Sequence, residues 1–199
     1  ACSYGGDKGI FFGANGYSAH TNTVSDAGVV STDVTAVTGV TGRQNPGGCE
    51  YGVTKGIFGF GNDASTILSS TNLVSDTGVI AADVTGVGTA REQPSACSYG
   101  GDKGIFAYGK TAGNNYSGGN VSNLVSNTGV VATDVTGVGT ARSAMGATQY
   151  DQDKGIFGFG NDGSSKYGVT NLVSNAGVIA TDVAAVGTAR HYPAGCSYG

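Results

Sequence analysis

Two kinds of residue in this chain could do chemistry: a pair of histidines, and polar groups that recur at fixed places in a repeated pattern. His20 and His191 are the only histidines. An imidazole works as a base when a carboxylate orients it and a hydroxyl stands beside it. Neither histidine lies near a Gly-x-Ser-x-Gly turn, and no other copy of the pattern carries His at the same place. The chain is therefore read as a non-enzyme. Cys2, Cys49, Cys97 and Cys196 share one repeat position, at which the remaining copy has Thr148. Zinc sites are built from closely spaced Cys pairs, and no Cys-x-x-Cys occurs here. A disulfide needs Cα atoms within about 7 Å, closer than equivalent positions of neighbouring units usually lie. The expectation is reduced cysteines that act as small packed residues, with no metal and no cofactor.

Asp33, Asp83, Asp134 and Asp182 form a carboxylate series, and Arg43, Arg91, Arg142 and Arg190 a matching cationic one. A charged group present once per unit points to a task that every unit has, such as pairing across a junction or satisfying backbone groups. Asn62-Asp63 and Asn161-Asp162-Gly163 supply too few oxygens for an EF-hand calcium loop. The binding candidates are instead the places where the copies differ: Asn15, Tyr17 and His20; Asn62 and Asp63; Asn114 and Tyr116; Asn161, Asp162 and Tyr167. Aromatic faces with amide and hydroxyl partners are favoured in adaptable recognition loops. Ordinary solvated turns have a similar composition. Asn115-Tyr116-Ser117 and Asn120-Val121-Ser122 also read as N-glycosylation acceptors.

The elements that must position these residues are four versions of one unit: 1–48, 49–96, 97–147 and 148–199, together one domain. A period near fifty is typical of repeat arrays. In the first unit, strand a is Ala1 to Gly5, strand b Lys8 to Phe12, strand c Asn22 to Ser25 and strand d Val29 to Val34, with Gly-rich turns between them. The b strand returns as Lys55-Gly56-Ile57-Phe58, Lys103-Gly104-Ile105-Phe106 and Lys154-Gly155-Ile156-Phe157, and its Ile and Phe are expected to pack between units. From Lys8 to Asn22 the interval is 14 residues and from Lys103 to Asn123 it is 20, whereas the repeat Arg precedes the next strand a position by 6 in every copy. Length variation therefore concentrates in the b to c links, which must share one rim. A four-stranded meander cannot bury both faces alone, so the units must pack face to face.

The run Gly155-Ile156-Phe157-Gly158-Phe159-Gly160, a later strand with an Asp, and a terminal Thr-Ala-Arg before a small-residue strand resemble kelch-type propeller repeats. Near-identical copies of such a unit are also similar to repeats in phage tail-fibre and bacterial surface proteins. The chain has Gly-Phe-Gly where kelch repeats carry a Gly-Gly pair, and it has no Trp. The resemblance implies an all-β fold: a β-propeller of four four-stranded antiparallel blade units, either complete or part of a larger array, with strand a innermost. It also implies recognition or adhesion on an extracellular or virion surface, with a glycan or a protein as partner. A structural filament or coat subunit is the alternative, and an oxidase of the kind that carries a kelch-like propeller comes third, because the His and Tyr constellation of its metal site has no match here.

With 37 Gly and 12% charged residues, the 199-residue chain is long enough to bury a core and is no charged tail. A net charge of -4 without clustered Lys and Arg argues against nucleic acid. No apolar stretch approaches the roughly 20 residues that a membrane helix needs, so no membrane insertion is expected. The chain begins at Ala1 with no signal-like segment, as a processed chain or a cut piece would. Cys196-Ser197-Tyr198-Gly199 duplicates Cys2-Ser3-Tyr4-Gly5, giving a fifth copy of strand a. An unpaired edge is a template for another chain, so the expectation is self-association through these terminal strands or a longer array, with fraying of one terminal strand as the third reading.

Overall fold

The structure is a computed structural model that describes residues 1–13, 15–35 and 37–198. Ala14 in the first rim link and Gly199 at the end of the duplicated strand lie outside the described residues. The fold is all-β, with four separate antiparallel sheets in chain order. The first contains β1 (Cys2–Tyr4), β2 (Lys8–Phe12) and β3 (Thr21–Val24). The second contains β4 (Gly47–Tyr51), β5 (Lys55–Gly59) and β6 (Thr71–Val74). The third contains β7 (Ser95–Tyr99), β8 (Lys103–Ala107), β9 (Val121–Val125) and the two-residue β10 (Val135–Thr136). The fourth contains β11 (Gly146–Tyr150), β12 (Lys154–Gly158) and β13 (Thr170–Val173). Only one 3-10 turn, Ala112–Asn114, interrupts this pattern among the described residues.

Register decides what each face presents. In the second sheet Ile57 lies opposite both Cys49 and Leu73, so these three side chains share one face; Phe58 lies between Gly48 and Asn72 on the other. Both faces are covered because each meets a different neighbour. Ile10, Phe12 and Tyr4 pack against Phe58, Val74 and Ile80. Cys49, Tyr51, Ile57 and Phe60 pack against Phe106 and Val125, and Ile105, Tyr99 and Tyr108 against Phe157, Val173 and Ile179. Each core thus lies between two units. Aromatic pairs mark the three junctions: Phe12 with Phe58 at 5.2 Å, Phe60 with Phe106 at 5.2 Å and Tyr108 with Phe157 at 5.6 Å between ring centroids.

The later units reach this pairing by one extra residue. Phe60, Tyr108 and Phe159 follow Gly59, Ala107 and Gly158 with φ of 62°, 60° and 65°. A left-handed turn at a bulky residue is unfavourable and persists only where the surroundings hold it. Here it returns the ring to the face that Ile57 and Ile105 share, where Phe60 and Tyr108 are buried.

The strands of type d depart from the expected four-stranded blade. Beside β3, β6 and β13, strand d is joined by isolated bridges only, as at Val74 with Ile80 and Thr71 with Val84; the third sheet adds β10. Between the two bridges the Asn72 side chain donates to the Ala81 carbonyl at 3.1 Å and to Asp83 at 2.7 Å. Asn22, Asn123 and Asn171 make the same pair of bonds. A side chain takes up part of the interval that a continuous backbone ladder would fill.

The outer faces of the end units are uncovered. Phe11 is 51% exposed, although its counterparts Phe58, Phe106 and Phe157 are fully buried. At the other end Tyr150 is 37% exposed, against 3% for Tyr4, Tyr51 and Tyr99, and Ile156 is only half-buried.

Candidate functional site

Strand a is antiparallel to strand b, so the b to c links and the segments entering strand a meet at one end of the sheets. The links of the second, third and fourth units are each anchored there by a backbone pair to the residue that follows the repeat Arg of the preceding unit: Asn62 with Gln44, Lys110 with Glu92, Asn161 with Ser143. Between the first three units these segments enclose a cleft of about 840 Å³ lined by Tyr17, Asn62, Asp63, Ser65, Thr66, Glu92 and Thr111, among others.

A polar row runs along it. With its amide nitrogen facing Glu92, Asn62 donates to that carboxylate at 3.2 Å and to the Gln44 carbonyl at 3.3 Å. Glu92 pairs with Lys110 at 3.4 Å, and Lys110 donates to Asn114 at 2.7 Å. Asp63 is used by its own loop: Oδ1 accepts the Ser65 and Thr66 amides, both at 2.7 Å, and these bonds hold its carboxyl below the ordinary range. Tyr17, exposed and at φ 58°, forms a wall.

The other candidates are dispersed. Asn15 accepts from Gln44 at 2.9 Å, outside the cleft. His20 lies on the first unit, 3.9 Å from Asp33. Tyr116 rests against Gly163, linking the third rim segment to the fourth. Asp162 repeats the turn of Asp63, accepting the Ser164 and Ser165 amides, and also takes the Tyr167 hydroxyl at 2.6 Å. That hydroxyl bond, followed by the two amides, lowers the Asp162 pKa and raises that of Tyr167. Thus Tyr17, Asn62 and Asp63 converge, Asn114 joins through Lys110, and Asn161, Asp162 and Tyr167 form a second group around the fourth link. Lys110 and Thr111 belong to the variable rim segment 110–116 already legible in the sequence, whereas Glu92 was not singled out. Glu92 carried a signal: the residue after the constant Arg varies as the rim does, being Gln44, Glu92, Ser143 and His191.

Three Arg–Asp sets of the repeated series lie in the junctions, leaving Asp33 and Arg190 at the two ends. Arg91 stacks on Phe60 of its own unit, 3.9 Å from the ring centre, and donates to Asn123 of the next at 2.6 Å. Arg142 stacks on Tyr108 and donates to Asn171; Arg43 lies over Phe12 and reaches Asp83 at 3.2 Å. Burial lowers the Arg91 pKa to about 10, against the pull of Asp134. Two residues before each Arg, the hydroxyls of Thr41, Thr89 and Thr140 donate to Asp83, Asp134 and Asp182 at 2.5, 2.7 and 2.6 Å. Thr-Ala-Arg is therefore a clamp on the following Asn and Asp, whereas Thr41-Gly42-Arg43 holds Asp83 and leaves the buried Asn72 Oδ1 without a partner among the described residues.

The cysteines line a second groove of about 390 Å³ beside β1, β4, β7 and β11 and the duplicated segment from Gly195 to Ser197, which, contrary to expectation, forms no strand among the described residues. The sulfurs of Cys2, Cys49 and Cys97 fill glycine sockets of the next sheet, whereas Cys196 is exposed. A methyl added at Gly56, Gly104 or Gly155 would lie 2.7, 2.6 and 2.6 Å from the sulfur of Cys2, Cys49 and Cys97. Burial pushes the Cys2 and Cys97 thiols up to about 12. Among the described residues no group of three His, Cys, Asp or Glu side chains converges as metal ligands would, and no helix is long and apolar enough to cross a membrane. No protein-family model matches this chain, and no curated protein is significantly similar to it.

Proposed function

We propose that the chain is a non-enzymatic recognition module of kelch-like propeller type, its four sheets acting as blades in an open arc around the groove lined by strand a. The observation that carries this reading is the division of labour between its parts. Junction residues are repeated nearly unchanged, whereas the cleft is built largely from rim links that differ in length and sequence between units, even though Asn62-Asp63 recurs as Asn161-Asp162. An exposed aromatic face at Tyr17 beside the Asn62 amide, the Glu92 carboxylate and the Ser65, Thr66 and Thr111 hydroxyls suits a carbohydrate, whose apolar ring face stacks while its hydroxyls bond sideways. Such a role fits an extracellular or virion appendage with a surface glycan as partner; a protein loop is the other ligand class the rim would accept.

A glycan array followed by calorimetry of the best ligand is the test. Tyr17→Ala and Glu92→Gln are each expected to weaken binding about tenfold, which corresponds to about 1.4 kcal/mol. Absence of any glycan signal, or full affinity in both variants, would remove the rim cleft as the site.

A further inference from the structure

Each internal junction is made of the same fittings, and the two ends carry one half each. From unit to next unit, a strand a sulfur enters a b-strand glycine, a strand a tyrosine covers the glycine of the c to d turn, and Thr and Arg grip the Asn–Asp pair, Arg43 through Asp83 alone. Tyr4 covers Gly78, Tyr51 covers Gly129 and Tyr99 covers Gly177. On the first unit the receiving half stands open. Gly28 has nothing within 4 Å of a built Cβ, Gly9 meets no sulfur, and Asp33 is 70% exposed beside Asn22. Phe11 and Val30, whose counterparts Phe106 and Ile80 are buried, lie bare around them. On the fourth unit the inserting half stands open. Arg190 stacks on Phe159 at 3.7 Å, as Arg91 does on Phe60, but among the described residues its side chain donates only to Thr188 of its own segment; Thr188, Tyr150 and Leu172 are exposed.

We propose that these ends dock head to tail, a second copy of this chain presenting its Asn22, Asp33 and Gly28 to Thr188, Arg190 and Tyr150 of the first. Two arguments select this occupant. The charges are complementary, Arg190 against Asp33, and the docked surface continues three interfaces already present in the molecule with the same residue types in the same places. The contact is heterologous, so it closes into a ring if the rotation per copy permits and otherwise extends as a filament. The duplicated strand does not supply the contact. Gly195 sits against the Ala147 carbonyl as Gly48 sits against that of Ala1, so Cys196 to Tyr198 stand where the inner strand of the docked copy belongs. One of the two identical Cys-Ser-Tyr stretches must give way.

Sedimentation velocity of the full chain between about 1 and 100 µM tests this. Wild type is expected to gain mass with concentration. Asp33→Arg, which destroys the receiving end, and Arg190→Asp, which destroys the inserting end, should each stay at single-chain mass. Mixed together they should associate again, because the intact Arg190 of one variant meets the intact Asp33 of the other, and the two reversed charges are themselves complementary. Tyr150→Ala should weaken association about tenfold or more. All three positions are exposed, and unchanged thermal unfolding of each variant checks that the fold is intact. Removing residues 195 to 199 should leave association in place. Wild type that remains a single chain at about 100 µM overturns the proposal. So does association that survives both charge reversals, or that is abolished only by removing the terminal strand, which would mark strand exchange instead.

Discussion

Arg91 and Arg190 are the same residue in the same motif, Gly-Thr-Ala-Arg, each stacked on the aromatic ring that ends its own b-strand region. Arg91 is inaccessible to solvent and donates across a junction, whereas Arg190 is exposed. The pair shows that local sequence sets the side chain's posture and the next unit sets its energetics. Phe157 and Phe11 make the same point in apolar terms.

The comparison is tested most severely by those two phenylalanines. Phe157→Ala should cost about 3 to 5 kcal/mol in urea unfolding, because a fully buried ring leaves a cavity. Phe11→Ala should cost under about 1 kcal/mol. Equal losses would mean that the first unit is covered in solution. Next come the arginines. Arg91→Ala removes one partner of a buried polar set and should cost about 3 kcal/mol, while Arg190→Ala should fall within about 0.5 kcal/mol. Glycines give a smaller contrast. Gly28→Ala carries only the left-handed strain of φ 74°, about 1 kcal/mol; Gly129→Ala, at φ 83° with Leu73 and Tyr51 within 3.0 Å of the new methyl, should cost about twice that by thermal melting.

The smallest effect is in pH. Burial alone would raise the carboxyls of Asp83, Asp134 and Asp182, but the Thr hydroxyl, the Asn amide, the Thr N–H and the Arg charge outweigh it and hold them below 3.8. The folded state then binds protons less tightly than the unfolded chain. Their contribution is complete above the ordinary aspartate value and disappears as pH falls through the lower folded values. Each is partly exposed, so solvent screening keeps it under about 1 kcal/mol. Asp134→Asn should flatten the acid limb of a stability profile measured from pH 5 to 2.

The legible parts of the fold were those written in short-range pattern. Lys8 to Phe12 is a strand as read, because Ile and Phe between glycines leave few alternatives. The c strand begins one residue earlier than expected, at Thr21 and Thr71, since the Asn that seemed to open it is an interior residue reaching toward strand d. The weak pairing of strand d was hidden, because it results from a side chain of another strand. In the cleft, Tyr17, Asn62 and Asp63 were visible as variable polar residues. Glu92 was not, since its proximity to them depends on how consecutive units stack. Asp63 and Asp162 looked available in sequence, and only their backbone partners reveal that they hold their own turns.

The location of the cores between units bears on how such a chain can change over generations. Recombination that joins one Gly-Thr-Ala-Arg run to another deletes or adds a whole unit and leaves every remaining junction with an inserting half and a receiving half. Copy number is thereby free to drift, while Arg and Asp are not, because a change in either alone breaks a junction with a neighbour. The rim escapes this constraint. Its links can lengthen and diversify unit by unit on a frame that tolerates both kinds of change, so new binding surfaces can arise by shuffling units already proven to fit.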